Sequence, residues 1–220
     1  MFQEHAKKMW HIQKNGVKFS LKPDLQELSN PLLRMFLNKK AVNYYMLKED
    51  NRVKLFIEES DQFQDWKQNF TAYTVKTCMG GVNRKYHAGF YLTAMTVFNH
   101  LNRVINPNDI EFEIYGYSHG AGAATILGSL IRNRSKGYLL DDRVIAFEPP
   151  RQAYKPSFGL IRETENDVNY IQGNDIVTKV PWWMQHLGKV RRVDGRDLTG
   201  IKRLLNPIFD HDIYWTKDLD

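Results

Sequence analysis

Residues 116–120 read Gly116-Tyr117-Ser118-His119-Gly120, and this glycine-flanked serine constrains the fold more than any other feature of the chain. Before it, Ile110-Glu111-Phe112-Glu113-Ile114-Tyr115 alternates apolar with acidic residues, the period of a strand. After it, residues 121–134 carry Ala124, Leu127, Leu130 and Ile131 on one helical face. A serine between strand and helix sits on a turn so tight that side chains two positions to either side would collide, so glycine is needed at both. The small residues of Ala121-Gly122-Ala123-Ala124 let the helix begin close to the sheet. A Gly-Ser turn that merely joins two elements is the competing reading.

Elsewhere the chain alternates short β-prone runs with helical stretches. Residues 42–47, 53–57, 70–75, 110–116, 144–147 and 168–171 read as strands, and 90–105 and 121–134 as helices broad enough to lie on a sheet. That order predicts an α/β fold, its sheet mostly parallel in the centre. Residues 1–40 read as a peripheral helical segment in which Asp24 caps Leu25–Leu37 and Pro31 interrupts it, leaving 41–220 as the core of a single domain. At 220 residues, with 42% apolar and 25% charged, the chain can bury such a core and is neither disordered nor fibrous.

A serine hydroxyl attacks only when a base takes its proton, and the base needs a carboxylate to hold its tautomer. In this strand–turn–helix chemistry the acid and then the histidine follow the serine along the chain. Asp175 follows the strand at 168–171 through a Gln172-Gly173 turn, which sets it in a loop at the carboxyl edge of the sheet. Asp141, Asp142 and Asp167 are rivals in worse positions. His211 near the C-terminus is the candidate base, because a loop after the last strands can fold back over the serine, whereas His186 reads as a pocket or structural residue.

The chain resembles the class 3 lipases, whose best-known members are fungal triacylglycerol lipases, through several motifs in order between about residues 53 and 215. Val53–Ser60 with Asp65-Trp66 is similar to the family's early strand and the D-W pair after it. His87-Ala88-Gly89-Phe90 is similar to V-H-x-G-F, Gly116–Gly120 to G-H-S-x-G and Phe147-Glu148-Pro149-Pro150-Arg151 to F-G-x-P-R. Asn174–Pro181 is similar to N-D-P-V-P-x-L-P, and Asp210-His211-Asp212-Ile213-Tyr214 to the terminal D-H-x-x-Y. The resemblance implies an α/β-hydrolase fold with helices on both faces of the sheet. It implies a serine carboxylic-ester hydrolase for a lipid or acyl ester, working through an acyl-enzyme without a cofactor. Ser118 is then the nucleophile, Asp175 the acid and His211 the base, with an oxyanion hole from the His119 N–H and Ser60.

Three departures bear on substrate and rate. Glu58-Glu59 stands where the family has Arg-Gly, Tyr117 replaces a histidine, and Glu148-Pro149 replaces a small turn containing glycine. Negative charge near a developing oxyanion has the wrong sign for catalysis, which motivates a second reading: an inactive hydrolase fold serving as a binding or assembly module. Trp182, Trp183, Tyr117 and His87 are candidate residues of a substrate pocket, with Trp182 and Trp183 forming an acyl-binding wall, a membrane-facing rim or ordinary core, and residues 197–206 form a candidate lid helix or a core-facing helix that delivers His211. The histidines lack zinc-ligand spacing and no phosphate-binding lysine accompanies the glycines, so no metal or nucleotide is expected. A net charge of +6 permits peripheral contact with an anionic membrane, but the cations are too scattered for a nucleic-acid partner. No secretory signal or membrane span is visible, and the lone Cys78 fits a reducing compartment, so a cytoplasmic or virus-borne protein is expected.

Overall fold

Among the described residues, seven strands form one sheet in the computed structural model of the chain, which describes residues 1–23, 25, 41–58, 73–79, 81–105, 110–134, 138–173 and 175–193. In chain order the elements are α1 (Phe2–Asn15), β1 (Val17–Leu21), β2 (Val42–Glu49), β3 (Arg52–Ile57), β4 (Thr74–Met79), β5 (Val82–His87) and α2 (Ala88–Val104). They continue with β6 (Glu111–Tyr117), α3 (His119–Arg134), β7 (Tyr138–Phe147), α4 (Phe158–Glu163), β8 (Val168–Gln172) and β9 (Lys189–Val193). The sheet order is β1-β2-β3-β6-β7-β8-β9, antiparallel from β1 to β3 and parallel from β3 onward. β4 and β5 make a separate antiparallel hairpin.

Strand alternation decides which helix each side chain meets. Val53, Leu55, Ile57, Phe112, Ile114 and Val144 face α2 and α3, where Phe90, Met95, Ala123 and Leu127 complete one buried cluster. Their neighbours Phe56, Tyr115, Tyr117, Ile145 and Phe147 face the other way, onto Ala6, Met9, Trp10 and Ile12 of α1. The helices therefore lie on both faces of a mostly parallel sheet, as the sequence predicts.

Phe2–Asn15 forms a helix because His5, Ala6, Met9, Trp10 and Ile12 recur at the spacing of one helical face, and all five are buried. The segment contributes β1 as the sheet's edge strand as well as α1 as a cover. The cap and helix predicted over 24–37 lie outside the described residues, Leu25 excepted.

The His5 ring packs among Tyr115 and Tyr170, with Nδ1 at 3.0 Å from the Tyr170 hydroxyl. Burial, helped by the Arg143 charge, lowers its pKa to about 4. The unfolded chain then binds more protons than the folded one between the ordinary histidine pKa and about 4, so stability is lost as pH drops through that window. His186, lowered to about 4 by burial, acts in the same direction. The melting temperature of His5→Gln is expected to fall less steeply than that of the wild type on acidification through this window. Parallel curves for the two proteins would show that His5 is protonated as easily folded as unfolded.

Candidate active site

Ser118 is the hinge between β6 and α3. Its φ is +53°, a left-handed conformation that costs a residue with a Cβ about 1 kcal/mol or more, and it is fully buried. The Ser118 N–H donates to the Phe147 carbonyl at 2.9 Å, which continues the β6–β7 ladder, while its own carbonyl accepts from the Ala121 N–H at 3.0 Å and so begins α3. One residue thus closes a strand and opens a helix. The flanking glycines are required by contact: a Cβ on Gly116 would lie 2.5 Å from the Gly120 carbonyl oxygen and 2.6 Å from the Ala121 Cα. A Cβ on Gly120 would lie 2.7 Å from the Glu58 carbonyl oxygen and closer still to that of Ile57. The close approach presses the elbow against the end of β3, the strand that leads toward residue 60.

Asp175 follows the end of β8, and it too is fully buried. Its Oδ1 accepts the Val177 N–H at 2.8 Å and its backbone carbonyl accepts the Thr178 hydroxyl at 2.9 Å, so the loop curls around the carboxylate. β7 separates β6 from β8, which sets Ser118 and Asp175 about two strand spacings apart, roughly 10 Å. A gap of that size is one an imidazole can bridge.

The acid loop is anchored from two sides. Arg151 Nη1 donates to the Trp182 carbonyl at 2.8 Å, and its backbone N–H donates to the Val180 carbonyl at 2.8 Å. His186 Nε2 lies 2.7 Å from the Thr178 carbonyl, a contact that requires the proton on that nitrogen. His186 is therefore a neutral tether of the loop that carries Asp175.

The class 3 lipase family model matches residues 55–185, more than half of the chain, and the elbow and the acid loop both fall inside the match. The chain belongs to the class 3 lipase family. The triacylglyceride lipase of Rhizomucor miehei superposes with a TM-score of 0.57 at 15% identity, over 80% of this chain and 65% of the fungal one. Lipase II of Rhizopus niveus gives 0.55 at 17% identity, over 80% and 65%. The mono- and diacylglycerol lipase of Aspergillus oryzae gives 0.55 at 18%, over 73% and 61%. At such identities the likeness is one of fold, the α/β-hydrolase fold, and this family member spans less than two thirds of the fungal lipases' own length. No curated protein matches the sequence.

Of the residues expected at the site, Ser118, His119 and Asp175 are described, while Ser60, His211 and the 197–206 segment lie outside the described residues. His119, the first residue of α3, keeps its Nε2 at 3.1 Å from the Thr93 hydroxyl and its ring edge-on to Phe90. His87 caps the start of α2, buried, with its ring 4.4 Å from that of Phe90. Trp182 is 75% exposed and packs edge-on against Trp183, so the ordinary-core reading gives way and the acyl-binding wall and membrane-facing rim remain. The expectation for Tyr117 also gives way: alternation along β6 turns its ring to the α1 face, away from the elbow's glycines, where it is core. Asp167 is engaged structurally by Arg132 Nη2 at 2.6 Å and the Val144 N–H at 2.8 Å, and the rivals Asp141 and Asp142 belong to β7.

Glu58 is the departure with the clearest resolution. Its carboxylate accepts from Lys18 Nζ at 2.9 Å and from Gln13 Nε2 at 3.0 Å, so the charge is compensated by β1 and α1. Glu59 lies outside the described residues. Sequence reasoning singled out Glu148 only as a departure, yet it is buried at the end of β7 with its carboxyl against that of Asp175. The available signal was a charged residue where a strand end otherwise carries a small turn.

Proposed function

We propose that the chain is a serine carboxylic-ester hydrolase for a lipid or acyl ester. Ser118 attacks the ester carbonyl, His211 takes its proton and returns it to the leaving alcohol, and Asp175 orients the imidazole. The acyl-enzyme on Ser118 is then opened by water, with His211 serving again as base. The N–H groups of His119 and Ser60 hold the oxyanion.

The observation that carries this reading is the strained serine elbow at the carboxyl edge, one strand removed from a buried and loop-wrapped aspartate. A left-handed serine between two glycines that tolerate no Cβ is an expensive way to connect a strand to a helix, and the cost is explained by a nucleophile that must be presented. Family membership and the lipase fold of the superposed structures support ester chemistry. The binding-module reading loses part of its motive, because Glu58 is held by Lys18 and Gln13. An anionic lipid surface is the partner that suits the +6 charge together with the exposed Trp182 and Ile176 beside the acid loop.

The test is hydrolysis of p-nitrophenyl esters from acetate to palmitate by the wild type, Asp175→Asn and His211→Ala, each matched by circular dichroism. Both variants are expected to lose about 10³-fold or more in kcat, because a triad with its base missing or misoriented retains only binding and the oxyanion hole. A folded His211→Ala protein with undiminished hydrolysis would remove His211 from the mechanism.

A further inference from the structure

Two carboxyl groups meet at the acid end of the site. Glu148 is the residue after β7, fully buried, with φ at +50°, a conformation glycine takes without penalty and glutamate does not. Its backbone N–H donates to the Tyr170 carbonyl at 2.8 Å, and its Oε1 accepts the Gln172 N–H at 2.8 Å. These bonds aim the side chain across the end of β8. There the Glu148 carboxyl lies against that of Asp175, whose own backbone N–H donates to the Gln172 carbonyl at 3.2 Å. Oε2 has no donor among the described residues, and the Gln172 side-chain amide beside the carboxyl falls outside hydrogen-bond geometry.

Ionised carboxylates only accept hydrogen bonds and repel one another, so two fully buried carboxyls in contact keep a proton on one of them. We infer that Glu148 is a positioning residue, whose neutral carboxyl donates its proton into a hydrogen bond to Asp175 and so fixes the carboxylate that orients the base. This inference rests on the reading of Asp175 as the acid of a Ser118 hydrolase. Asp175 Oδ1 is engaged by the Val177 N–H. A donor from Glu148 adds a second restraint that sets the carboxylate plane, and the proton stays on Glu148 through turnover.

The protonation state follows from the surroundings. Burial pushes the Glu148 carboxyl well above the ordinary carboxylate range, and the hydrogen bond and charge of Asp175 push it further, against the smaller opposing pull of the Gln172 amides. β8 presents the neutral Gln172 to it and the following loop presents Asp175, the titratable neighbour that acts on it. A buried acid with a raised pKa holds a proton that the unfolded chain has released. Its stabilising contribution is complete below the ordinary carboxylate pKa and is lost as pH rises through the folded value. Ionisation would set two negative charges side by side and displace Asp175, so activity should fall on the same alkaline limb.

The test compares wild type, Glu148→Ala, Glu148→Gln and Asp175→Asn as full-length proteins, in p-nitrophenyl butyrate kinetics and in thermal melts between about pH 5 and pH 9. Glu148→Ala is expected to lower kcat about tenfold with KM unchanged, the loss of one hydrogen bond to a charged group. Glu148→Gln, whose amide can donate to Asp175 while its oxygen keeps the Gln172 bond, should restore most of that loss and abolish the alkaline limb. Above the ordinary histidine range the wild-type melting temperature should decline with rising pH; the decline should be absent in Glu148→Gln and smaller in Asp175→Asn, where burial alone still raises the Glu148 carboxyl. A folded Glu148→Ala with wild-type kcat, or a Glu148→Gln that keeps the alkaline limbs of rate and stability, overturns the inference. A wild type that hydrolyses no ester overturns the functional reading and the positioning role of Glu148 with it, and the melts then separately decide whether Glu148 keeps its proton beside Asp175.

Discussion

Ser118→Ala should retain less than about one part in 10⁴ of the wild-type rate of ester hydrolysis, with an unchanged circular dichroism spectrum. The magnitude follows from the role: without a nucleophile no acyl-enzyme forms, and the oxyanion donors have little to act on. The backbone supplies a second signature. Ser118 is held at φ +53°, so Ser118→Gly removes the Cβ that makes this conformation costly, whereas Ser118→Ala retains it. Both variants should be inactive, and Ser118→Gly should be the more stable by about 1 kcal/mol. A serine retained for packing alone gives another pattern, in which activity survives Ser118→Ala. Chemical denaturation of the three proteins, run beside the assay, separates the cases.

Gly120→Ala should be among the most damaging glycine-to-alanine changes within the described residues. The added Cβ would meet the carbonyl oxygens of Ile57 and Glu58, backbone atoms at the end of β3, which is held between β2 and β6 and has no freedom to move aside. We expect a loss of about 3 kcal/mol or more, in the range of strong overpacking, and a melting temperature lower by roughly 6–12 °C for a chain of this length. Activity should fall together with stability, because the same shift moves the His119 N–H away from the end of β3. Gly159→Ala provides the comparison: its Cβ would meet the far end of the Val82 side chain at 3.0 Å, which can yield. Equal melting temperatures for Gly120→Ala and the wild type would contradict the close approach of elbow and strand.

The parts of this fold that could be read from the sequence are those whose side chains face one environment on each side. β6 alternates visibly, and α3 has small residues where it meets the sheet and a clear apolar face beyond. β1, β5 and β9 went unread for a physical reason. Val82-Asn83-Arg84-Lys85-Tyr86-His87 and Lys189-Val190-Arg191-Arg192-Val193 are too polar to register as strands, because β5 belongs to a two-stranded hairpin and β9 is an exposed sheet edge. Of the strand expected at 70–75, residues 70–72 lie outside the described residues, and Thr74 and Val75 open β4, where Val75 packs inward and the alternate residues Lys76 and Cys78 are exposed. Short α4 escaped because Phe158 and Ile161 are exposed and only Leu160 is buried, which leaves no apolar face to detect.

The site was legible where chemistry demands rare residues in a fixed local order, as at Gly116–Gly120. Asp175 was found through its position after a strand and a turn. Glu148 was not assigned a role, since pairing between strand ends β7 and β8 is a tertiary fact that neither residue advertises. The compensation of Glu58 by Lys18 and Gln13 is likewise long-range, and it reverses the meaning of a residue that looks harmful in one dimension.

The most direct measurement is the reaction of the native protein with a fluorophosphonate probe, read by intact mass and by the mass of the tryptic peptide that carries Ser118. The account predicts one covalent adduct, located on Ser118, absent from Ser118→Ala and absent when the chain is unfolded before exposure. A folded wild-type protein whose Ser118 stays unlabelled, or one labelled equally in the folded and unfolded states, would contradict an activated nucleophile at the elbow.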